Sequence, residues 1–260
     1  MFDTITVQTD ERGVAHLTLA RADKHNAMNA QMIGELTRAA KMLGEDDAVR
    51  VVVLDALGKS FCAGGDLGWM KDQMAASPTE RAAGARELAT MLGALNTLPK
   101  PLIGRVQGQA FGGGIGMMSV CDIAIGVKDL KFGLTETRLG LIPATISPYV
   151  IKRMGEAKAR RVMMSARIFD SAEAVELGLL ARAVSADELD EAIEAEVKPY
   201  LNVAPRAVAK TKRLIRGQGG DITQAQIDAS IDALVEAWED TEAKDGINAF
   251  FAKEKPPWVG

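Results

Sequence analysis

Twice in the first half of the chain a short, mainly apolar run gives way to a glycine-rich loop and then to a helical pattern. Residues 51–54, all apolar, lead to Phe61-Cys62-Ala63-Gly64-Gly65-Asp66. Residues 102–106 lead to Gly108-Gln109-Ala110-Phe111-Gly112-Gly113-Gly114 and a further apolar stretch up to Val120. A short run without polar alternation marks a strand buried on both faces. Strands of that kind, interleaved with helices, pair in parallel and are joined by crossover helices. The expected fold class is therefore α/β, and there is no strict sequence repeat.

The flanking segments agree. Residues 5–8 and 14–19 read as two strands around the turn at 10–13. Asn29 can cap a helix whose inner face is Met32, Ile33, Leu36, Ala40 and Leu43. Ser77-Pro78-Thr79-Glu80 reads as a capping box with proline at the first helical position. That helix turns Leu88, Met91, Leu92 and Leu95 inward and ends before Pro99. Residues 123–127 form another strand. From about Ile146 the pattern is mostly helical, with helices expected at 171–177 (opened by Ser171), 187–197, 206–214 and 221–238. The last shows Ile222, Ile227, Ile231, Leu234 and Val235 as a helical face. A soft boundary near residue 200 separates a core, 1–200, from a helical C-terminal region, 201–260.

Bulk properties exclude several function classes. With 260 residues and 47% hydrophobic content, the chain can bury one large core. A net charge of −4 gives no general reason to expect nucleic acid, although basic clusters occur at 152–153, 158–161 and 210–216. Cys62 and Cys121 lie in apolar stretches and read as reduced core thiols. His16 and His25 have no partner at metal-ligand spacing, so no metal is expected. The N-terminus is not a signal peptide, and no apolar run reaches the roughly 18 residues of a membrane span. The default compartment is the cytoplasm.

The glycine loops carry the first chemical hint. Without Cβ, a backbone can approach a ligand closely and adopt positive φ. A glycine run that opens a helix also presents N–H groups suited to negative charge. Two such donors from separate loops could meet on one oxygen as an oxyanion hole. Glycine content alone is more simply satisfied by tight turns or close helix packing. Neither loop is a P-loop or a dinucleotide fingerprint. A third element, Phe132-Gly133-Leu134-Thr135-Glu136-Thr137-Arg138, sets a carboxylate in an apolar-flanked loop, where a raised pKa would suit proton transfer. A surface glutamate paired with Arg138 or Lys131 is the plainer alternative.

The quoted segments occur in a telling order, together with Ala20-Arg21-Ala22-Asp23-Lys24-His25-Asn26-Ala27-Met28-Asn29, Cys121-Asp122-Ile123-Ala124 and Leu139-Gly140-Leu141-Ile142-Pro143. As an ordered set the chain resembles the crotonase, or enoyl-CoA hydratase/isomerase, superfamily over essentially its whole length. The resemblance implies a spiral of ββα units with a helical C-terminal trimerisation region, and a homotrimer or dimer of trimers. It implies a coenzyme A thioester as substrate, with coenzyme A entering as part of that substrate and no separate cofactor. By motif position, Gly65 and Gly113 would supply the oxyanion-hole N–H groups, with Glu136 as acid/base. Asp23, Lys24, His25, Ala27, Ala63, Gly64, Asp66 and Leu67 would line the coenzyme A pocket. Phe250 and Lys253 would meet coenzyme A from a neighbouring subunit.

The sequence departs from the family pattern at one position. Hydratases of this superfamily typically use two glutamates, one of them two residues after the triple glycine. Here that position is Gly116. Double-bond migration needs a single base, so Gly116 favours an isomerase. Asp66-Leu67-Gly68-Trp69-Met70 and residues 139–150 instead look similar to bacterial methylglutaconyl-CoA hydratases, some of which also lack the first glutamate. The leading expectation is a methylglutaconyl-type hydratase, with a Δ3,Δ2-enoyl-CoA isomerase second. In the hydratase reading a distal substrate carboxylate, or the hydroxyl of Ser147 or Tyr149, would position water. RNA binding, attributed to relatives of this branch, is a third reading that the acidic balance disfavours.

Overall fold

The computed structural model of the chain describes residues 2–260. A hairpin opens it, with β1 (Ile5–Thr9) and β2 (Val14–Leu19) antiparallel and Ile5 opposite Leu19. Asp10 ties the turn by accepting from the N–H groups of Arg12 and Val14, each at 2.9 Å. A 3-10 turn at Ala22–Lys24 precedes α1 (Ala30–Glu45). Asn29 caps that helix, its side chain accepting from the Met32 N–H at 2.9 Å. Met32, Ile33, Leu36, Ala40 and Leu43 are all buried, as the spacing predicts. Each of the larger ones contributes roughly 1.5–3 kcal/mol by leaving water.

The next elements are β3 (Val51–Ala56), β4 (Ser60–Cys62), α2 (Leu67–Ala75) and α3 (Pro78–Thr97). Then come β5 (Leu102–Val106), β6 (Gln109–Phe111), α4 (Gly113–Val120), β7 (Ile123–Val127) and β8 (Lys131–Gly133). A 3-10 turn at Glu136–Leu139 leads to α5 (Ser147–Met154) and α6 (Glu156–Met163). Three times, therefore, a strand of a large sheet is followed by a strand of a small sheet and then by helix. Each repeat adds one strand to both sheets, and the successive strands pair in parallel. This is the expected spiral of ββα units.

Both sheets are closed by the following segment. β9 (Ile168–Asp170) pairs antiparallel with β8, and after α7 (Ser171–Glu176), β10 (Arg182–Val184) pairs parallel with β7. The strand orders are β1-β2-β3-β5-β7-β10 and β4-β6-β8-β9. Four helices complete the chain: α8 (Leu189–Leu201), α9 (Pro205–Gln218), α10 (Gln224–Glu239) and α11 (Thr241–Ala252).

The large sheet is buried on both faces. Val51 and Val53 pack with Ile103, Ile125 and the inner face of α8. Val52 and Leu54 point the other way, into the core shared with α1 and α3. This two-sided burial explains why residues 51–54 show no alternation.

Three details differ from the sequence reading. The small sheet's strands fall inside segments read as glycine loops, because three residues are too few to display a period of two. Asp170, not Ser171, caps α7 by accepting from the Glu173 N–H at 2.9 Å. The Ser171 hydroxyl instead donates to the Val127 carbonyl and accepts from the Leu130 N–H. The helix expected from 221 starts at Gln224, where Thr223 and Gln226 form a capping box.

Most side chains of the basic clusters are engaged within the chain. The Lys152 ammonium donates to the carbonyls of Gly219 and Gly220, and Arg161 pairs with Glu173. Lys212 pairs with Asp122 and Arg216 with Asp221, both at 2.7 Å. Cys62 and Cys121 are buried and unpaired, and burial pushes both thiols up to about 12. No helix among the described residues is long and apolar enough to cross a membrane.

Candidate active site

The two glycine loops, the turn after β8 and the C-terminal helices meet around a cavity of about 600 Å³. The first loop is pinned to the segment before α1. The Met28 N–H donates to the Gly64 carbonyl at 2.8 Å, and the Asp66 N–H donates to the Met28 carbonyl at 2.9 Å. Gly64 reaches this arrangement at φ +96°, a conformation open to glycine. Gly65 follows it with its N–H unmatched by any protein acceptor among the described residues.

The second loop ends at Gly112, with φ +47°. Its carbonyl accepts from the Gly116 N–H at 3.2 Å and so starts α4. The Gly113 N–H lies at the open end of that helix and also has no protein acceptor among the described residues. Helix dipole and exposed N–H groups together favour negative charge there. A Cβ on Gly112 would stand 2.8 Å from Glu136 Oε1, so glycine is required for the carboxylate to lie against the loop.

Glu136 sits in the 3-10 turn after β8 and lines the same cavity as Ala63, Gly64, Gly65, Leu67 and Gly113. The residue as a whole keeps some exposure, but its Oε2 is shut from solvent and has no hydrogen-bond partner. Burial pushes its carboxyl up to about 7, opposed in part by a hydrogen bond from its own backbone N–H. The alternative pairing with Arg138 or Lys131 is absent among the described residues. Arg138 donates instead to the Ala166 carbonyl at 2.6 Å. An enclosed carboxyl that titrates near neutrality can both take and give a proton.

Most of the other residues singled out in the sequence fall elsewhere. Asp23 and Lys24 lie in the exposed 3-10 turn, and His25 follows in a left-handed conformation with Nδ1 3.1 Å from Ser60 Oγ. Ala27 is buried but outside the cavity wall. Asp66 pairs with Arg21 at 2.9 Å and caps α2 through the Gly68 and Trp69 N–H groups. Burial pushes its carboxyl up, but Arg21 and those N–H groups outweigh this and hold it below the usual range. Phe250 lines the cavity of its own chain. Lys253 ends α11 and does not reach the wall. Among the described residues there is no cluster of His, Cys, Asp or Glu that could hold a metal ion.

The sequence reading missed the far wall. Thr145 and Ile146 line the cavity, and Leu234 and Trp238 of α10 close it from beyond the residue-200 boundary. Tyr149 does not line it, and its hydroxyl donates to the Ala89 carbonyl at 3.4 Å. Ser147 is likewise outside the wall, in the first turn of α5. A Cβ on Gly116 would meet Ile146 Cγ2 at 2.7 Å, so Ile146 fills the space next to the missing glutamate. The only signal for this wall was the unusual sequence after Pro143.

Comparison with known proteins agrees with this architecture. The family model described as Enoyl-CoA hydratase/isomerase matches residues 9–260. The crystal structure of an enoyl-CoA hydratase from Shewanella pealeana superposes with a TM-score of 0.81 at 37% identity, covering 99% of this chain and 96% of that one. AtuE of Pseudomonas aeruginosa gives a TM-score of 0.80 at 35% identity, covering 99% of this chain and 100% of its own. A probable enoyl-CoA hydratase of Rhizobium meliloti is 32% identical, covering 98% of this chain and 97% of its own. With its ββα spiral, helical C-terminal region and full-length match, the chain is an enzyme of the enoyl-CoA hydratase/isomerase family and has the crotonase fold.

Proposed function

We propose that this enzyme is an enoyl-CoA hydratase of methylglutaconyl type, with Glu136 as its one acid/base. The observation that carries the reading is Glu136, whose Oε2 is buried without a partner, in a cavity lined also by Gly65 and Gly113, whose N–H groups have no protein acceptor among the described residues. These two N–H groups hold the thioester oxygen as it gains charge. Loss of one such donor typically removes roughly 3 kcal/mol of transition-state stabilisation.

The reaction balances with a single carboxyl. The water oxygen bonds to C3 while its proton passes to Glu136, and the C2=C3 electrons move onto the thioester oxygen. The resulting enolate then takes the proton back from Glu136 at C2. A carboxyl titrating at about 7 suits both transfers at neutral pH. Coenzyme A enters as part of the substrate, and the mechanism needs no other cofactor.

The methylglutaconyl type is supported by the similarity of residues 66–70 and 139–150 to that branch. A distal substrate carboxylate calls for a cation, and Arg138 is the one cationic side chain in the described cavity wall. A trimer or dimer of trimers is part of the same proposal. In the single chain α9 buries none of its residues and leaves Leu214 and Ile215 exposed. Light scattering on the purified protein tests it.

A second reading, Δ3,Δ2-enoyl-CoA isomerase, is favoured by Gly116 alone. The deciding experiment offers 3-methylglutaconyl-CoA, crotonyl-CoA and a 3-enoyl-CoA, with Glu136→Gln as control. Water addition to the first ester supports the hydratase. Double-bond migration without hydration replaces it with the isomerase.

A further inference from the structure

We propose that the Thr145 hydroxyl is the second anchor of the attacking water, in place of the glutamate missing at Gly116; this rests on the hydratase reading above. Six buried side-chain polar atoms have no hydrogen-bond partner among the described residues. Two of them, Glu136 Oε2 and Thr145 Oγ1, belong to residues that line this cavity. The other four, on Arg50, Asp55, Gln107 and Arg216, lie outside its wall. Thr145 is 4% exposed. A buried hydroxyl left unpaired is unfavourable, so its position calls for a polar group supplied from within the cavity.

The local fold holds the residue in place. The Ala144 N–H donates to the Ile142 carbonyl at 2.8 Å, and the Ser147 N–H donates to the Ala144 carbonyl at 2.9 Å. Thr145 thus sits in a closed turn just before α5. The next residue, Ile146, packs over Gly116 and makes that part of the wall apolar. One turn therefore removes the room for a glutamate and places Thr145 in the cavity wall.

The chemistry requires two anchors. A water that attacks C3 must present a lone pair to carbon, with both of its O–H bonds directed elsewhere. Glu136 accepts one, and that proton is transferred. Thr145 Oγ1 accepts the other, and that proton stays on the oxygen as it becomes the product hydroxyl. Neither Gly116 nor Ile146 has a side-chain acceptor to offer. The Ser147 and Tyr149 hydroxyls lie outside the wall.

The test compares wild type, Thr145→Val and Thr145→Ser in two assays. One is hydration of 3-methylglutaconyl-CoA and crotonyl-CoA. The other is exchange of the α-protons of butyryl-CoA with deuterated water, which uses Glu136 and the two N–H groups but no attacking water. In Thr145→Val, hydration should fall about tenfold or more relative to exchange, mostly in kcat. Thr145→Ser should recover most of it. Undiminished hydration in Thr145→Val, or an equal fall in both assays, overturns the role of Thr145 and leaves the hydratase reading standing. A wild type that exchanges α-protons or shifts double bonds but hydrates neither ester overturns both.

Discussion

Ile146 Cγ2 stands 2.7 Å from the point a Cβ on Gly116 would occupy, and Ile146 Cβ stands 3.1 Å from it. The position that holds a glutamate in two-glutamate hydratases is therefore closed by apolar packing. The single-glutamate site is a property of two facing segments, α4 and the turn before α5, and not of one residue.

Gly116→Glu should accordingly destabilise the chain by about 1–3 kcal/mol, because a packed core resists added volume. Adding Ile146→Ala should recover part of that loss. Thermal melts of the three proteins measure this, and an unchanged melting temperature in Gly116→Glu contradicts the packing.

Glu136→Gln should lose activity by about a hundredfold or more while gaining stability at alkaline pH. In the folded chain the Glu136 carboxyl binds its proton more tightly than when unfolded, since burial raises it from 4.5 to about 7. Its ionisation therefore opposes folding. The deficit is absent below the unfolded value and grows as pH rises toward 7, reaching the order of 3 kcal/mol. Denaturant titrations at acidic and alkaline pH should show the variant ahead only at the higher pH.

Gly246→Ala should lower both stability and kcat. A Cβ there would lie 2.5 Å from the Leu139 carbonyl carbon and 2.8 Å from the Trp258 ring. It would push α11 off the turn that carries Glu136. A loss of about 1–3 kcal/mol is expected from such overpacking. If the melt falls and kcat does not, α11 does not position the glutamate.

Arg138→Met should reduce kcat/KM for 3-methylglutaconyl-CoA about tenfold or more, the scale of a charge-assisted hydrogen bond. Crotonyl-CoA, which has no distal carboxylate, should be nearly unaffected. An equal loss with both esters would assign Arg138 to holding the Ala166 carbonyl alone.

Glu35→Gln should weaken the chain at neutral pH, with the gap to wild type closing in acid. Burial of Glu35 raises its carboxyl, but hydrogen bonds from Thr4, Asp3 and Gln31 outweigh this and bring it to about 2. The stabilisation is complete above the unfolded value of 4.5 and is lost as pH falls toward 2. Unfolding curves between neutral pH and strong acid follow the gap directly.

Much of this architecture was legible in residue patterns because local chemistry fixed it. Asn29 and the Ser77–Glu80 box start helices through bonds to their own neighbours, and both form as read. The all-apolar run at 51–54 reported burial on both faces, and the large sheet provides it. The short strands of the small sheet were not legible, since Ser60–Cys62 and Lys131–Gly133 are defined only by partners distant in sequence.

The candidate site divides in the same way. The chain alone determined the two glycine loops, the lone Glu136 and the family, because close backbone approach and proton transfer each demand particular residue types at particular places in the chain. Only the tertiary structure decided that Glu136 Oε2 is shut from solvent without a partner, and that burial raises the carboxyl to about 7. It also decided that Ile146 closes the space over Gly116, that Thr145 keeps an unpaired hydroxyl in the wall, and that α10 and α11 complete the cavity. Burial and vacancy of hydrogen-bond partners are properties of what packs around a residue, and those neighbours come from segments as far apart in the chain as Met28 and Phe250.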